Sequence, residues 1–331
     1  MARFAIIGSG SWGTALARIL HLNGHQIFLW DRDAELMKTL QTERVNKKYL
    51  PNFVLPPDLY IEPDLKTAVQ GKDGLIMAVP SHGVRSVINQ FPGVPEGTYV
   101  VSVAKGIENE TLLRVSQILA ERFDERRIAV LSGPSHAEEV SRDVPTVVVS
   151  ASKNPATARW LQDAFMRPTF RVYTHHDVIG VEIGAALKNI VAVAAGIIDG
   201  VGGGDNTKAA LLTRALAEIT RLGTKLGAES LTFAGLSGMG DLIVTCMSRH
   251  SRNRYLGEQI GKGKTLEEVL SEMVMVAEGV KTTRSAYELA RKHQVEVPII
   301  TEAYNVLFQN KNPKDAVYDL MTRAAKVEDW G

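Results

Sequence analysis

Lys188 stands in the middle of EIGAALKNIVAVAAGII, residues 182–198, a stretch of small and aliphatic residues interrupted only by Glu182 and the Lys188-Asn189 pair. On a helix, Lys188 has Gly184 one turn before it and Val191, Ala192 and Ala195 along the same face, so its neighbours offer it neither a carboxylate nor obvious water. Its ammonium could snorkel to solvent along an apolar surface, or it could be held for proton transfer. Three further stretches carry groups that could act with it. VAKGI places Lys105 directly after a β-rich run, and GLSGMGDLIVTC sets Asp241 after three closely spaced glycines and before an apolar helix, where it could also serve as an N-cap. SRNRYLG gathers Ser251, Arg252, Asn253 and Arg254, and a planar guanidinium beside a hydroxyl and an amide suits phosphate oxygens.

The N-terminal FAIIGSGSWGTALARIL puts Gly8, Gly10 and Gly13 in GxGxxG spacing between a strand and a helix, with another strand following, the context that turns a weak pattern into a dinucleotide-binding one. Gly8 permits the tight turn, Gly10 lets the backbone approach a pyrophosphate, and Gly13 lets helix and strand pack closely. The amides of Ser11 and Trp12 then face the phosphates. The second strand ends in Trp30-Asp31-Arg32, where the adenosine ribose is read: an acid favours the free 2′-hydroxyl of NAD(H), an arginine the 2′-phosphate of NADP(H). Both groups are present; the expectation is NADP(H) through Arg32, with NAD(H) tolerated. In LSGPSHAEE, Gly133, Pro134 and Ser135 precede a helical segment, so Ser135 could be its N-cap or its amides could receive a substrate oxygen.

These residues need a scaffold, and the first half of the chain supplies an α/β rhythm of short aliphatic runs alternating with amphipathic segments, the pattern of parallel strands joined by crossover helices. Strands are expected at 4–8, 26–30, 74–79, 99–104, 128–131 and 146–150, with helices at 11–22, 34–43, 84–90 and 110–123. Residues 46–63, with four prolines, read as an irregular excursion. After about Val178 helical spacing dominates, at 207–226, 266–275, 282–292 and 300–307, and GVGGGDN, 200–206, reads as a loop between helices. Two domains follow, about 1–180 and 181–331, as expected for 331 residues. A formal net charge of +1 gives no support for a nucleic-acid or membrane partner, so an anionic substrate has to be met by local basic residues. A single cysteine, Cys246, excludes an intramolecular disulfide or a multi-thiolate metal site, and no metal is expected. With no long apolar leader in MARFAIIGSGSWG, the expected location is cytoplasmic.

GSGSWGTALA, VPSH, VAKGI, LSGPSHAEEV, GVEIGAALKNIVAVAAG, GLSGMGDLIVTC, SRNRYLG and VAEGVKTT follow one another along nearly the whole chain, and this ordered set closely resembles bacterial-type NAD(P)-dependent glycerol-3-phosphate dehydrogenase. The resemblance implies a Rossmann-type N-terminal domain, an all-α C-terminal domain, homodimeric assembly, and interconversion of dihydroxyacetone phosphate and sn-glycerol 3-phosphate for glycerophospholipid synthesis. By motif it implies cofactor contacts at Ser11, Trp12, Arg32, Ala137, Val276 and Glu278. Substrate contacts fall at Lys105, Gly133, Ser135, Asp241, Ser251, Arg252 and Asn253, with Lys105 and Arg252 also near the cofactor. Lys188 matches the proton-transfer residue. Lys105 would polarise or position the carbonyl, and Asp241 would hold the amine. Two other readings remain open at this stage: a related hydroxy-acid dehydrogenase, and a non-catalytic dinucleotide sensor.

Overall fold

The computed structural model describes residues 1–93, 96–273, 275–325 and 327–328. The chain divides into two compact units: Met1–Ala104 with Val115–Val178, and Lys105–Arg114 with Ile179 onwards. The expectation of two domains cut once near residue 180 therefore meets a structure in which a ten-residue segment, 105–114, sits with the C-terminal residues.

The first unit contains all the strands found among the described residues: β1 Arg3–Ile7, β2 Gln26–Trp30, β3 Val45–Asn46, β4 Leu50–Val54, β5 Tyr60–Ile61, β6 Gly74–Met77, β7 Tyr99–Ser102, β8 Ile128–Ser132, β9 Thr146–Ala151 and β10 Phe170–His175. Eight of them form one sheet in the order β10-β9-β8-β7-β6-β1-β2-β5, while β3 and β4 form a hairpin inside the proline-rich excursion. β6, β8 and nearly all of β1 are buried on both faces, which is why they read as uninterrupted aliphatic runs. The sheet is a Rossmann-type one, parallel except at β8–β9. There the link holds only a one-turn helix, Ala137–Val140, too little to carry the chain across the sheet, so β9 runs back against β8. β10 and the Pro155–Phe165 helix lie between the expected elements, although Phe170 and Val172 inward with Arg171 and Tyr173 outward is a two-residue alternation.

The second unit is helical, as expected. Its axis is the Val178–Gly200 helix, long and apolar enough to cross a membrane but almost wholly buried within the protein. Ile183, Leu187, Ile190, Val191 and Ile198 lie in a core with residues from the Asp205–Lys225, Asp241–Met247, Glu278–His293 and Pro298–Phe308 helices. A second core joins Val193 and Ile197 to Leu256 and Ile260 of the Arg252–Gly261 helix. Here the two backbones nearly touch: a β-carbon on Gly196 would strike the Arg254 carbonyl oxygen, and one on Gly257 the Val193 carbonyl oxygen. Gly257→Ala is expected to cost about 1–3 kcal/mol, as overpacking in a rigid core does. A thermal melt unchanged from that of the parent protein would refute this account of the contact.

Several helix boundaries differ from expectation: the 84–90 segment is helical over Val84–Ile88, and the helix expected at 282–292 begins at Glu278. The 110–123 segment is helical only over Val115–Ala120, because Leu112 takes a left-handed φ of 60° and Ile107 bridges Arg114, which turns the chain back on itself. The 266–275 segment is helical over Leu266–Glu272, and Val274 lies outside the described residues.

Candidate functional site

In the first unit, the glycine turn is built as its spacing requires. Gly8 has φ +112°, and a β-carbon there would stand 2.8 Å from the Ala78 carbonyl oxygen of the strand-end loop after β6. A β-carbon on Gly13 would collide with the Gly8 carbonyl oxygen, whereas one on Gly10 would meet nothing within 4 Å. The open side of Gly10 leads into the Ser11–Leu22 helix, whose N-cap is that glycine and so offers no side chain to the first amides. The indole Nε1 of Trp12 is also buried without a hydrogen-bond partner among the described residues. A cradle free of β-carbons, helix amides and an orphaned donor fit the pyrophosphate of a dinucleotide. Arg32 is exposed at the end of β2.

The turn that follows the LSGPSHAEE segment is tied to the same helix: the Arg18 guanidinium donates to both carboxylate oxygens of Asp143, at 2.8 and 2.5 Å. Gly133, with φ +141°, packs over Val148, and Ala137 is buried as the first residue of its helical turn. Ser135 is not the N-cap; His136 holds that position, and the Ser135 hydroxyl donates to the Gly133 carbonyl at 2.9 Å.

In the second unit, residues far apart in sequence converge on one carboxylate. Lys188 Nζ donates to Asp241 Oδ1 at 2.7 Å and Lys105 Nζ to Asp241 Oδ2 at 2.8 Å, across 53 and 136 residues of sequence. Asp241 is 1% exposed and Lys188 5%. Asp241 reaches this position because a β-carbon on Gly184 would lie 2.8 Å from the Ser237 carbonyl oxygen, so the bare helix lets the turn leading into Asp241–Met247 come close. Lys188 Nζ also donates to Thr245 Oγ1 at 2.5 Å, and Thr245, one turn after Asp241, donates in turn to the Asp241 carbonyl at 2.6 Å. Thr245 was not singled out from the sequence; its i+4 spacing from an aspartate at a helix start is the only sequence signal it has.

The snorkelling alternative for Lys188 is therefore not what the fold does with it. Burial drives its pKa down to about 8, with the Lys105 ammonium adding to the fall and the Asp241 carboxylate resisting it. For Asp241, burial alone would raise the carboxyl, but the Lys105 and Lys188 ammoniums outweigh it and hold the group below its ordinary value.

A chain of amides fixes Lys105 against the Ser251–Asn253 stretch. Gly279 N–H can only donate, so the Asn253 atom it meets at 2.9 Å is Oδ1. Asn253 Nδ2 then faces Asn189 Oδ1 at 3.0 Å, and Asn189 Nδ2 meets the Lys105 carbonyl at 3.0 Å. Ser251 caps the Arg252–Gly261 helix by accepting from Arg254 N–H at 3.2 Å. Of the two arginines, Arg254 is paired with Asp199 at 2.8 Å and Glu258 at 3.2 Å, while Arg252 is exposed and has no acidic partner among the described residues. Val276 is 47% exposed, and Glu278 is the first residue of the Glu278–His293 helix. The segment carrying Lys105 is anchored further along by the Arg114–Glu182 ion pair at 2.5 Å, which gives Glu182, the other charged residue of the apolar stretch, its use.

Family models of NAD-dependent glycerol-3-phosphate dehydrogenase match both parts of the chain, the N-terminal model over residues 3–158 and the C-terminal model over 177–318. The chain is 53% identical over 332 residues to glycerol-3-phosphate dehydrogenase [NAD(P)+] of Thermoanaerobacter sp., covering 99% of both proteins. It is also 53% identical to a glycerol-3-phosphate dehydrogenase [NAD(P)+] of Salinibacter ruber, covering 98% of this chain and 96% of that one. The crystal structure of glycerol-3-phosphate dehydrogenase from Coxiella burnetii superposes with a TM-score of 0.93 at 36% identity, over 97% of this chain and 99% of that one. With a nucleotide cradle in one unit, an aspartate gripping two lysines in the other, and both family models matched in sequence order, the chain belongs to the NAD-dependent glycerol-3-phosphate dehydrogenase family.

Proposed function

We propose that the chain interconverts dihydroxyacetone phosphate and sn-glycerol 3-phosphate, with Lys188 as the acid and base of the reaction. The observation that carries this reading is the buried carboxylate of Asp241 holding two ammoniums, one of them with its pKa brought down to about 8. A bound NAD(P)(H) supplies or takes the hydride. Lys188 moves the proton: an ammonium has three donors, and Asp241 and Thr245 engage two, leaving one for the substrate oxygen. As a neutral amine the same nitrogen keeps two donors for the same partners and turns its lone pair to the substrate hydroxyl. Proton transfer in either direction thus needs no rearrangement of the side chain. Lys105 adds positive charge beside the developing alkoxide.

Arg252 takes the phosphate in this reading, with Ser251 and Asn253 beside it, since its exposed fork has no acidic neighbour among the described residues while Arg254 is already paired. Gly133 and Ser135 complete the substrate contacts. Gly8, Gly10, Ser11, Trp12, Gly13, Arg32, Ala137, Val276 and Glu278 serve the cofactor, with Lys105 and Arg252 close to it. Homodimeric assembly and a cytoplasmic location belong to the same reading; the second is supported by a lone cysteine kept as a buried free thiol. The product would feed glycerophospholipid synthesis.

Loss of NADH or NADPH absorbance on adding dihydroxyacetone phosphate tests the reading directly, and failure with both cofactors would exclude it. Arg252→Ala should raise KM for dihydroxyacetone phosphate about 10- to 100-fold, the worth of charge-assisted hydrogen bonds to a phosphate. With the cofactor saturating, activity on unphosphorylated dihydroxyacetone should fall far less; equal losses on the two substrates would remove Arg252 from the phosphate.

A further inference from the structure

Asp31 stands where an acid is expected to read the adenosine ribose, yet its carboxylate points elsewhere. Oδ2 accepts the Ser9 amide at 2.7 Å and the Ser9 hydroxyl at 3.1 Å, and Oδ1 accepts the Asp33 amide at 3.0 Å. Ser9 is fully buried between Gly8 and Gly10, so the groups that Asp31 holds belong to the glycine turn itself. The carbonyl of the same residue is also held. Asn46, fully buried, donates from Nδ2 to the Ser9 carbonyl at 2.6 Å and to Thr14 Oγ1 at 2.8 Å, and Thr14 Oγ1 donates to the Ser9 carbonyl at 3.2 Å. Every polar atom of Ser9 is thus occupied by protein, and the donors left for phosphate lie further along, on the helix that Gly10 opens.

We propose that Asp31 is a positioning residue for the glycine turn and takes no part in choosing between NAD(H) and NADP(H). A carboxylate whose two oxygens already accept three hydrogen bonds from Ser9 and Asp33 is committed to the turn, so discrimination falls to the exposed Arg32. This rests on the reading of the first unit as a dinucleotide site and names the residue that shapes it. An acid serving the ribose would change the two affinities in opposite directions, whereas an acid serving the turn changes them together, because both cofactors present the same pyrophosphate.

Fluorescence titration of Asp31→Ala with NADH and with NADPH separates these cases without any turnover. The expected result is a loss of about 10-fold or more in affinity for both, set by charge-assisted hydrogen bonds to the turn, with their ratio held within about 2-fold. At saturating cofactor, kcat and the KM for dihydroxyacetone phosphate should stay near the parent values. Asp31→Asn keeps an oxygen for the Ser9 amide and should lose less with both cofactors; it also serves if the alanine variant does not fold. A ratio moved about 10-fold towards NADPH would overturn the proposal by making Asp31 a ribose acid. Unchanged affinities with a lowered melting temperature would overturn it by leaving Asp31 a merely structural residue. A parent protein that binds both cofactors but leaves dihydroxyacetone phosphate untouched would sink the proposed activity and not this assignment.

Discussion

Lys188→Ala is expected to lower kcat by at least about 10²- to 10⁴-fold, the usual worth of a well-placed acid or base, while cofactor affinity stays nearly intact. The asymmetry follows from position: Lys188 is a buried group of the helical unit, and the glycine cradle belongs to the sheet. Its pH dependence gives a second and independent check. With a pKa near 8, the ammonium that reduction needs is present below that pH and lost above it, so kcat for reduction should fall as pH rises through about 8. Oxidation needs the neutral amine, so its kcat should rise through the same range. A mutant with near-normal turnover, or a parent enzyme whose two directions respond alike to pH between 7 and 9, would remove Lys188 from the proton-transfer role.

Asp241→Asn carries the second large effect. The substitution keeps shape and burial but leaves the Lys105 and Lys188 ammoniums without their shared counter-charge. Breaking a buried ion pair by removing one partner costs about 3–5 kcal/mol, offset in part here because Lys188 can shed its proton. The loss of Asp241 removes the main influence holding the Lys188 pKa up, so its midpoint should fall well below 8. Reduction near neutral pH should suffer more than oxidation, because the ammonium becomes the scarce form. Thermal melts and the pH profile of the reductive kcat test this together; a variant whose profile still turns near 8 would show that Asp241 does not set the lysine.

Much of the first unit could be read locally. The strands at 26–30 and the helices at 11–22 and 34–43 match their expected bounds, because aliphatic runs and glycine punctuation act over a few residues. The spacing of Gly8, Gly10 and Gly13 was sufficient to place the turn and its open side. β9 could not be oriented this way: its aliphatic run is the same whether parallel or antiparallel, and the preceding link folds into a single helical turn in place of a crossover helix. Nor could the 105–114 segment be assigned, since its attachment rests on partners at Glu182, Asn189 and Ser285.

The same division runs through the site. The sequence by itself determined which residues were chemically out of place: a lysine in an apolar helix, an aspartate after glycines, and a cluster of arginine, serine and asparagine. Family resemblance grouped them. Only the tertiary structure decided what each touches, because a string has no distances. It put Asp241 between two lysines, inserted Thr245 beside Lys188, gave Arg254 to Asp199 while leaving Arg252 exposed, and set the Asp31 carboxylate on the Ser9 amide. Charge and hydrogen bonding act over a few ångströms in space, and residues that meet here are as many as 136 positions apart along the chain.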